Sequence, residues 1–269
     1  MVDTMKITIL TDNVTDRENL ETEHGFSCFV ENGNRKILFD TGQSDIFIRN
    51  AEKLGIDLSE ADLLIISHGH YDHTDGMAGF LKINQNARIL IHPEAFRDKY
   101  HNSKYIGINR DIYIPEKRMI RPFRPGAIGN NFYIMDSWDM EKVDEPQFED
   151  FYTVHDGNTV PDLFRDEIYL VELSAPGLNL ITGCSHQGIV NILRKAKRTF
   201  KIPVNSVCGG FHLKYSGTES AERTGKLLAE ENMNKLITGH CTGYENFEML
   251  RDSMLPDLEY GFAGRSFVV

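Results

Sequence analysis

Ser67-His68-Gly69-His70-Tyr71-Asp72-His73 places three imidazoles and one carboxylate within six positions, directly after the apolar stretch Leu63-Leu64-Ile65-Ile66. Imidazole and carboxylate are the donors that a borderline divalent cation accepts: zinc first, with manganese and iron fitting the same set. The apolar stretch reads as a buried strand, so the cluster sits at a strand end. His68, His70 and Asp72 share one parity and His73 breaks it, so a turn or the first turn of a helix must aim His73. The strand is therefore expected to end near His68, with the following loop wrapping a metal.

Further histidines end later strands. Leu178-Asn179-Leu180-Ile181 runs into Thr182-Gly183-Cys184-Ser185-His186, Val204-Asn205-Ser206-Val207 into Cys208-Gly209-Gly210-Phe211-His212, and Lys235-Leu236-Ile237 into Thr238-Gly239-His240. Between them, the apolar spacing of Ile189, Ile192, Leu193 and Ala196 predicts a helix over 188–200, and a second helix is expected over about 218–231.

Upstream elements must bring other groups to this cluster. Lys6–Thr11 reads as a strand followed by the polar loop Asp12-Asn13, and Asn13 is a candidate substrate contact beside the ordinary turn-forming role of Asx residues. Glu23-His24-Gly25 precedes a hairpin of 26–31 and 35–40 closed at Asn32-Gly33-Asn34. His24 is a second candidate substrate contact. The hairpin ends at Asp40-Thr41-Gly42, where Asp40 either braces a metal-bound histidine or caps the loop. A short helix from Ser44 to Gly55 and another after Gly76 follow the same apolar spacing, and His92, followed by Pro93, reads as structural. From about 94 to 165 periodicity weakens while aromatic and basic residues accumulate. This insertion is expected to wall or cover the site, and its cations between Lys99 and Arg124 either bind phosphate or form a solvated surface.

Composition narrows the class. With 41% hydrophobic and 26% charged residues the chain is globular rather than disordered, and no apolar run approaches the roughly 20 residues of a membrane helix. A formal net charge of −11 argues against a nucleic-acid binder. The expected partner is a small, anionic substrate, and no membrane or nucleic acid. Cys28, Cys184, Cys208 and Cys241 form no CxxC pair, so neither a zinc ribbon nor a disulfide framework is indicated, and a cytoplasmic location is the default. Length and the lack of a linker favour one domain over 1–269; the oligomeric state is left open.

The hairpin ending Phe-Asp-Thr-Gly, the Ser-His-Gly-His-Tyr-Asp-His motif, and His186 and His240 at separate strand ends together resemble the metallo-β-lactamase superfamily. That resemblance implies an α/β protein with an αβ/βα four-layer sandwich of two mixed β-sheets flanked by helices. It also implies His68, His70 and His186 around one cation, and Asp72, His73 and His240 around a second. One element departs. Members with two metals usually carry a bridging aspartate between the last two histidines, where this chain has Cys208-Gly209-Gly210-Phe211-His212. Three alternatives follow: Cys208 or His212 replaces the bridge, one of the two ions binds weakly, or His212 acts on substrate. His212 is therefore a candidate catalytic residue beside Asp72.

Glu23–Ser27, Thr182–His186, Gly209–Leu213 and Thr238–Gly243 are further similar to the 7,8-dihydropterin-6-yl-methyl-4-(β-D-ribofuranosyl)aminobenzene 5′-phosphate synthases. Three functional expectations stand together. They are a hydrolase using metal-activated water on a small phosphate-containing substrate, a transferase joining a dihydropterin diphosphate to an aminobenzene ribofuranosyl phosphate, and a non-catalytic metal- or ligand-binding protein.

Overall fold

The computed structural model describes residues 4–141, 150–214, 216–252 and 257–269. The chain divides into two compact units, one of Met1–Arg124, Asp150–Asp166 and Phe262–Val269, the other of Pro125–Glu149 and Glu167–Gly261.

The first unit is built on a six-stranded sheet in the order Ser266–Val268, Lys6–Thr11, Ser27–Asn32, Arg35–Phe39, Leu63–Ile66, Arg88–Ile91. The expected hairpin is present, antiparallel from Cys28 opposite Phe39 to Asn32 opposite Arg35. Beyond it the pairing turns parallel, because the helix Ile46–Lys53 lies in the connection from Arg35–Phe39 to Leu63–Ile66. Leu63–Ile66 is buried at every position, which explains its unbroken apolar sequence. Leu64 and Ile66 pack with Phe47, Met77 and Phe80 from the helices Ile46–Lys53 and Met77–Ile83.

The stretch 94–165 is more ordered than its weak periodicity predicts. Lys99–His101, Lys104–Tyr105, Phe151–His155 and Asn158–Pro161 form a four-stranded sheet of the first unit, while Gly126–Gly129 and Phe132–Asp136 extend the sheet of the second. Residues 142–149 lie outside the described residues. Strands of two to five residues are too short for alternation to stand out.

The second unit holds a seven-stranded sheet in the order Asp257–Tyr260, Lys235–Thr238, Val204–Gly209, Leu178–Ile181, Ile168–Leu173, Phe132–Asp136, Gly126–Gly129. The first four of these run parallel. Helix Ile189–Phe200 buries Ile189, Ile192, Leu193 and Ala196, as their spacing predicts, and Gly217–Ala229 supplies the second expected helix. Among the described residues no helix is long and apolar enough to cross a membrane.

Candidate metal centre

In the first unit the strand Leu63–Ile66 stops one residue before Ser67, and His68 follows in an irregular segment. His70 caps a one-turn helix, Tyr71–Thr74, whose first turn carries Asp72 and His73. This is how His73 escapes the strand parity. His68, His70, Asp72 and His73 are all buried.

One carboxylate aims two of these rings. Asp40, fully buried at the end of the hairpin, accepts from Ser67 N–H (2.7 Å) and Ser67 Oγ–H (2.6 Å), and its Oδ2 lies 2.7 Å from His73 Nδ1. A carboxylate only accepts, so His73 Nδ1 carries its hydrogen and Nε2 keeps a lone pair. Because Ser67 has given its one hydrogen to Asp40, its oxygen accepts from His68 Nδ1 at 2.9 Å. That leaves the lone pair of His68 on Nε2, 3.0 Å from His70 Nδ1. Asp40 itself holds φ 58°, a left-handed conformation that aspartate tolerates better than most residues.

The loop is fastened from below by a buried charge cluster that the sequence does not announce. Gly69 N–H donates to Asp166 Oδ2 (2.7 Å), and Lys99 Nζ bonds Asp166 Oδ1 (2.9 Å) and Asp162 Oδ2 (2.7 Å). Gly69 is required here, since a Cβ would lie 2.2 Å from the Ala95 carbonyl oxygen. Burial disfavours ionisation of Asp166, but the Lys99 ammonium overcomes it and holds the carboxyl below its ordinary range. Lys99, one of the cations expected either to bind phosphate or to form a solvated surface, instead lies buried between Asp162 and Asp166. Arg118 is buried too, and donates to the backbone oxygens of Ala87 and Asn84. Burial, then the Lys99 charge, lowers the His70 pKa to about 3, so its ring is neutral near pH 7. Neutral imidazole is the metal-binding form.

Asn13 and His24 join this group. His24 Nε2 lies 3.3 Å from Asp72 Oδ2, and Asn13 Nδ2 lies 3.3 Å from His24 Nδ1. Gly25 permits the approach, because a Cβ there would stand 2.8 Å from the Asp72 carbonyl oxygen.

In the second unit, His186, His212 and His240 follow the carboxyl ends of three adjacent parallel strands, Leu178–Ile181, Val204–Gly209 and Lys235–Thr238. Parallel pairing therefore puts all three histidines on one edge of the sheet, where α/β proteins place ligands. The His186 and His212 ring centroids are 4.3 Å apart. Ser185, His212 and His240 hold φ of 58°, 51° and 49°, so three non-glycine residues are strained side by side, a pattern typical of functional loops. Glu167, buried and absent from the sequence reading, accepts from His186 N–H (2.7 Å), Gln187 N–H (3.1 Å) and the Tyr169 hydroxyl (2.6 Å). Cys208 stays inside its strand, opposite Ile181 and Ile237. The imidazole and carboxylate donors of each unit fit a borderline divalent cation in type and burial.

Comparison with known proteins agrees with this architecture. Residues 21–190 match the metallo-beta-lactamase superfamily. The chain is 34% identical to the uncharacterized protein MJ0448 of Methanocaldococcus jannaschii, covering 96% of this chain and 98% of that one. It is 30% identical to the 7,8-dihydropterin-6-methyl-4-(beta-D-ribofuranosyl)-aminobenzene-5′-phosphate synthase of the same organism, covering 98% and 96%. Among solved structures, Tm1679, described as a metal-dependent hydrolase of the beta-lactamase superfamily, superposes with a TM-score of 0.83 at 33% identity, covering 98% of this chain and 99% of that one. The chain has the metallo-β-lactamase fold and belongs to the metallo-β-lactamase superfamily.

Proposed function

We propose that the protein is a metal-dependent hydrolase of a small, phosphate-containing anion. In this reading His68, His70 and His186 hold one divalent cation, and Asp72, His73 and His240 a second. The observation that carries it is the relay from Asp40, which leaves lone pairs on His68 Nε2 and His73 Nε2 beside a neutral His70. When bound, the cations would supply Lewis acidity and lower the pKa of an attacking water toward neutrality. The chain's own residues do the rest. Asp72 orients the nucleophile; because His24 Nδ1 accepts from Asn13 Nδ2, His24 Nε2 carries the ring hydrogen and donates it to Asp72 Oδ2 at 3.3 Å, holding that carboxylate in its ionised form. His24 is half-exposed and so stands where it can also meet an anionic substrate. His212 contributes from the sheet edge of the second unit.

A transferase is the second reading, favoured by the 30% identity to a protein named as a synthase. There a pyrophosphate leaving group would occupy the same cations, and an aromatic amine or ring carbon would replace water as the attacking group. The test is turnover of bis-p-nitrophenyl phosphate and of a dihydropterin diphosphate by metal-loaded protein, with and without an aminobenzene ribofuranosyl phosphate. Release of hydrolysis products, abolished in His70→Ala, is expected. Coupled product formed only with the amine present would favour the transferase, and no turnover of either would favour a binding protein.

A further inference from the structure

The second unit contains a donor group that the six-residue scheme does not use. Cys184 ends the segment after strand Leu178–Ile181, His212 follows Val204–Gly209, and Cys241 follows His240 beyond Lys235–Thr238. One donor atom from each, two Sγ and a ring nitrogen, all lie within 4.8 Å of one another, and both thiols are buried. We propose that Cys184, His212 and Cys241 form a thiolate-containing cation site, with zinc or iron(II) as the class of ion its donors select. It goes beyond the histidine and aspartate scheme and occupies one unit alone.

Several features point the same way. Donors around a tetrahedral zinc at about 2.3 Å to sulfur and about 2.0 Å to nitrogen stand roughly 3.5–4 Å apart, so the observed span closes with small side-chain adjustments. Cys241 Sγ accepts the His212 backbone N–H at 3.2 Å and lies 3.6 Å from the Cys184 carbonyl oxygen, so the three donor residues are fastened to one another through this sulfur. The sulfur also fills space that only glycine leaves, since a Cβ on Gly210 would lie 2.4 Å from it. Gly210 N–H in turn donates to the Gly183 carbonyl (2.8 Å), tying the loop of His212 to the loop of Cys184. His212 reaches the group from a left-handed backbone at φ 51°, a conformation that a non-glycine residue keeps only when its surroundings hold it.

The segment 208–212 offers no acidic residue. Two thiolates would supply the negative charge missing there, and three protein ligands would leave a fourth position for water or substrate. Binding a divalent cation at this site displaces the thiol protons into solvent.

The test is cobalt(II) substitution of metal-free protein, read by near-ultraviolet thiolate-to-cobalt charge transfer, with metal content by elemental analysis. Wild type should show the band. Cys184→Ser/Cys241→Ser should lose it together with about one metal equivalent, while Cys28→Ser and Cys208→Ser keep both. Circular dichroism checks folding, and Cys184→Ser alone serves if the double variant does not fold. No charge-transfer band in wild type, or a band unchanged in the variants, overturns the site. So does a Cys184–Cys241 disulfide whose reduction fails to produce the band. His70→Ala should spare the band while removing metal bound through the histidine cluster, so this site and the hydrolytic scheme fail separately.

Discussion

Asp40→Asn isolates the relay that orients the His68 and His73 rings proposed to bind metal. The backbone should be indifferent, because asparagine tolerates φ 58° as well as aspartate does. The amide oxygen can still accept from Ser67 N–H, now 2.7 Å from Asp40 Oδ1. The amide nitrogen, however, replaces the Oδ2 that serves Ser67 Oγ and His73 Nδ1, and it donates where the carboxylate accepted. Ser67 would then turn its hydrogen toward His68 Nδ1, pushing the His68 hydrogen onto Nε2, and His73 would make the same exchange. Both lone pairs that the proposed scheme gives to a cation are lost while every proposed ligand residue is kept. Loss of such an outer partner costs about 10–100-fold in metal affinity, or about 1.4–2.7 kcal/mol for each histidine. Competition with a chromophoric chelator measures the affinity, and thermal unfolding of the metal-free protein checks the fold. Unchanged affinity in a folded Asp40→Asn protein would refute the tautomer argument.

Three further outcomes are expected. Glu167→Ala strips the acceptor from His186 N–H, Gln187 N–H and the Tyr169 hydroxyl, and urea unfolding should show a loss of about 2–4 kcal/mol, with Glu167→Gln less affected. Lys99→Met leaves two buried carboxylates, Asp162 and Asp166, uncompensated and should destabilise by about 3–5 kcal/mol; a melting temperature equal to wild type would contradict the pairing. The third concerns pH. The folded His70 pKa, near 3, lies below the unfolded value of 6.5, so in between the unfolded chain binds the extra proton and stability falls on acidification. Relative to His70→Asn, metal-free wild type should lose about 2 kcal/mol between pH 7 and pH 5, and a constant difference in urea unfolding would show that His70 titrates normally.

The candidate metal-binding side chains are legible in the sequence because each announces itself locally. An apolar strand ending in histidine places a polar ring at the edge of a sheet, and the Leu63–Ile66, Leu178–Ile181 and Lys235–Thr238 strands all do so where the sequence indicates. The hairpin and the helix Ile189–Phe200 follow equally from turn chemistry and apolar spacing. The stretch 94–165 was less legible, since its short strands carry too few residues for a period to emerge and owe their pairing to distant partners such as Phe151 opposite His101.

The sequence by itself thus determined which residues offer donor atoms and at which strand ends they stand. The tertiary structure alone decided what orients them. Asp40 meets Ser67 and His73 from 27 and 33 residues away, Asp166 meets Gly69 from 97, and Cys184 approaches Cys241 from 57. A lone carboxylate or thiol has no periodic signature, because its role comes from partners that only chain folding brings within bonding distance. Burial then turns that proximity into function, by making each unmet hydrogen bond costly and holding His70 neutral.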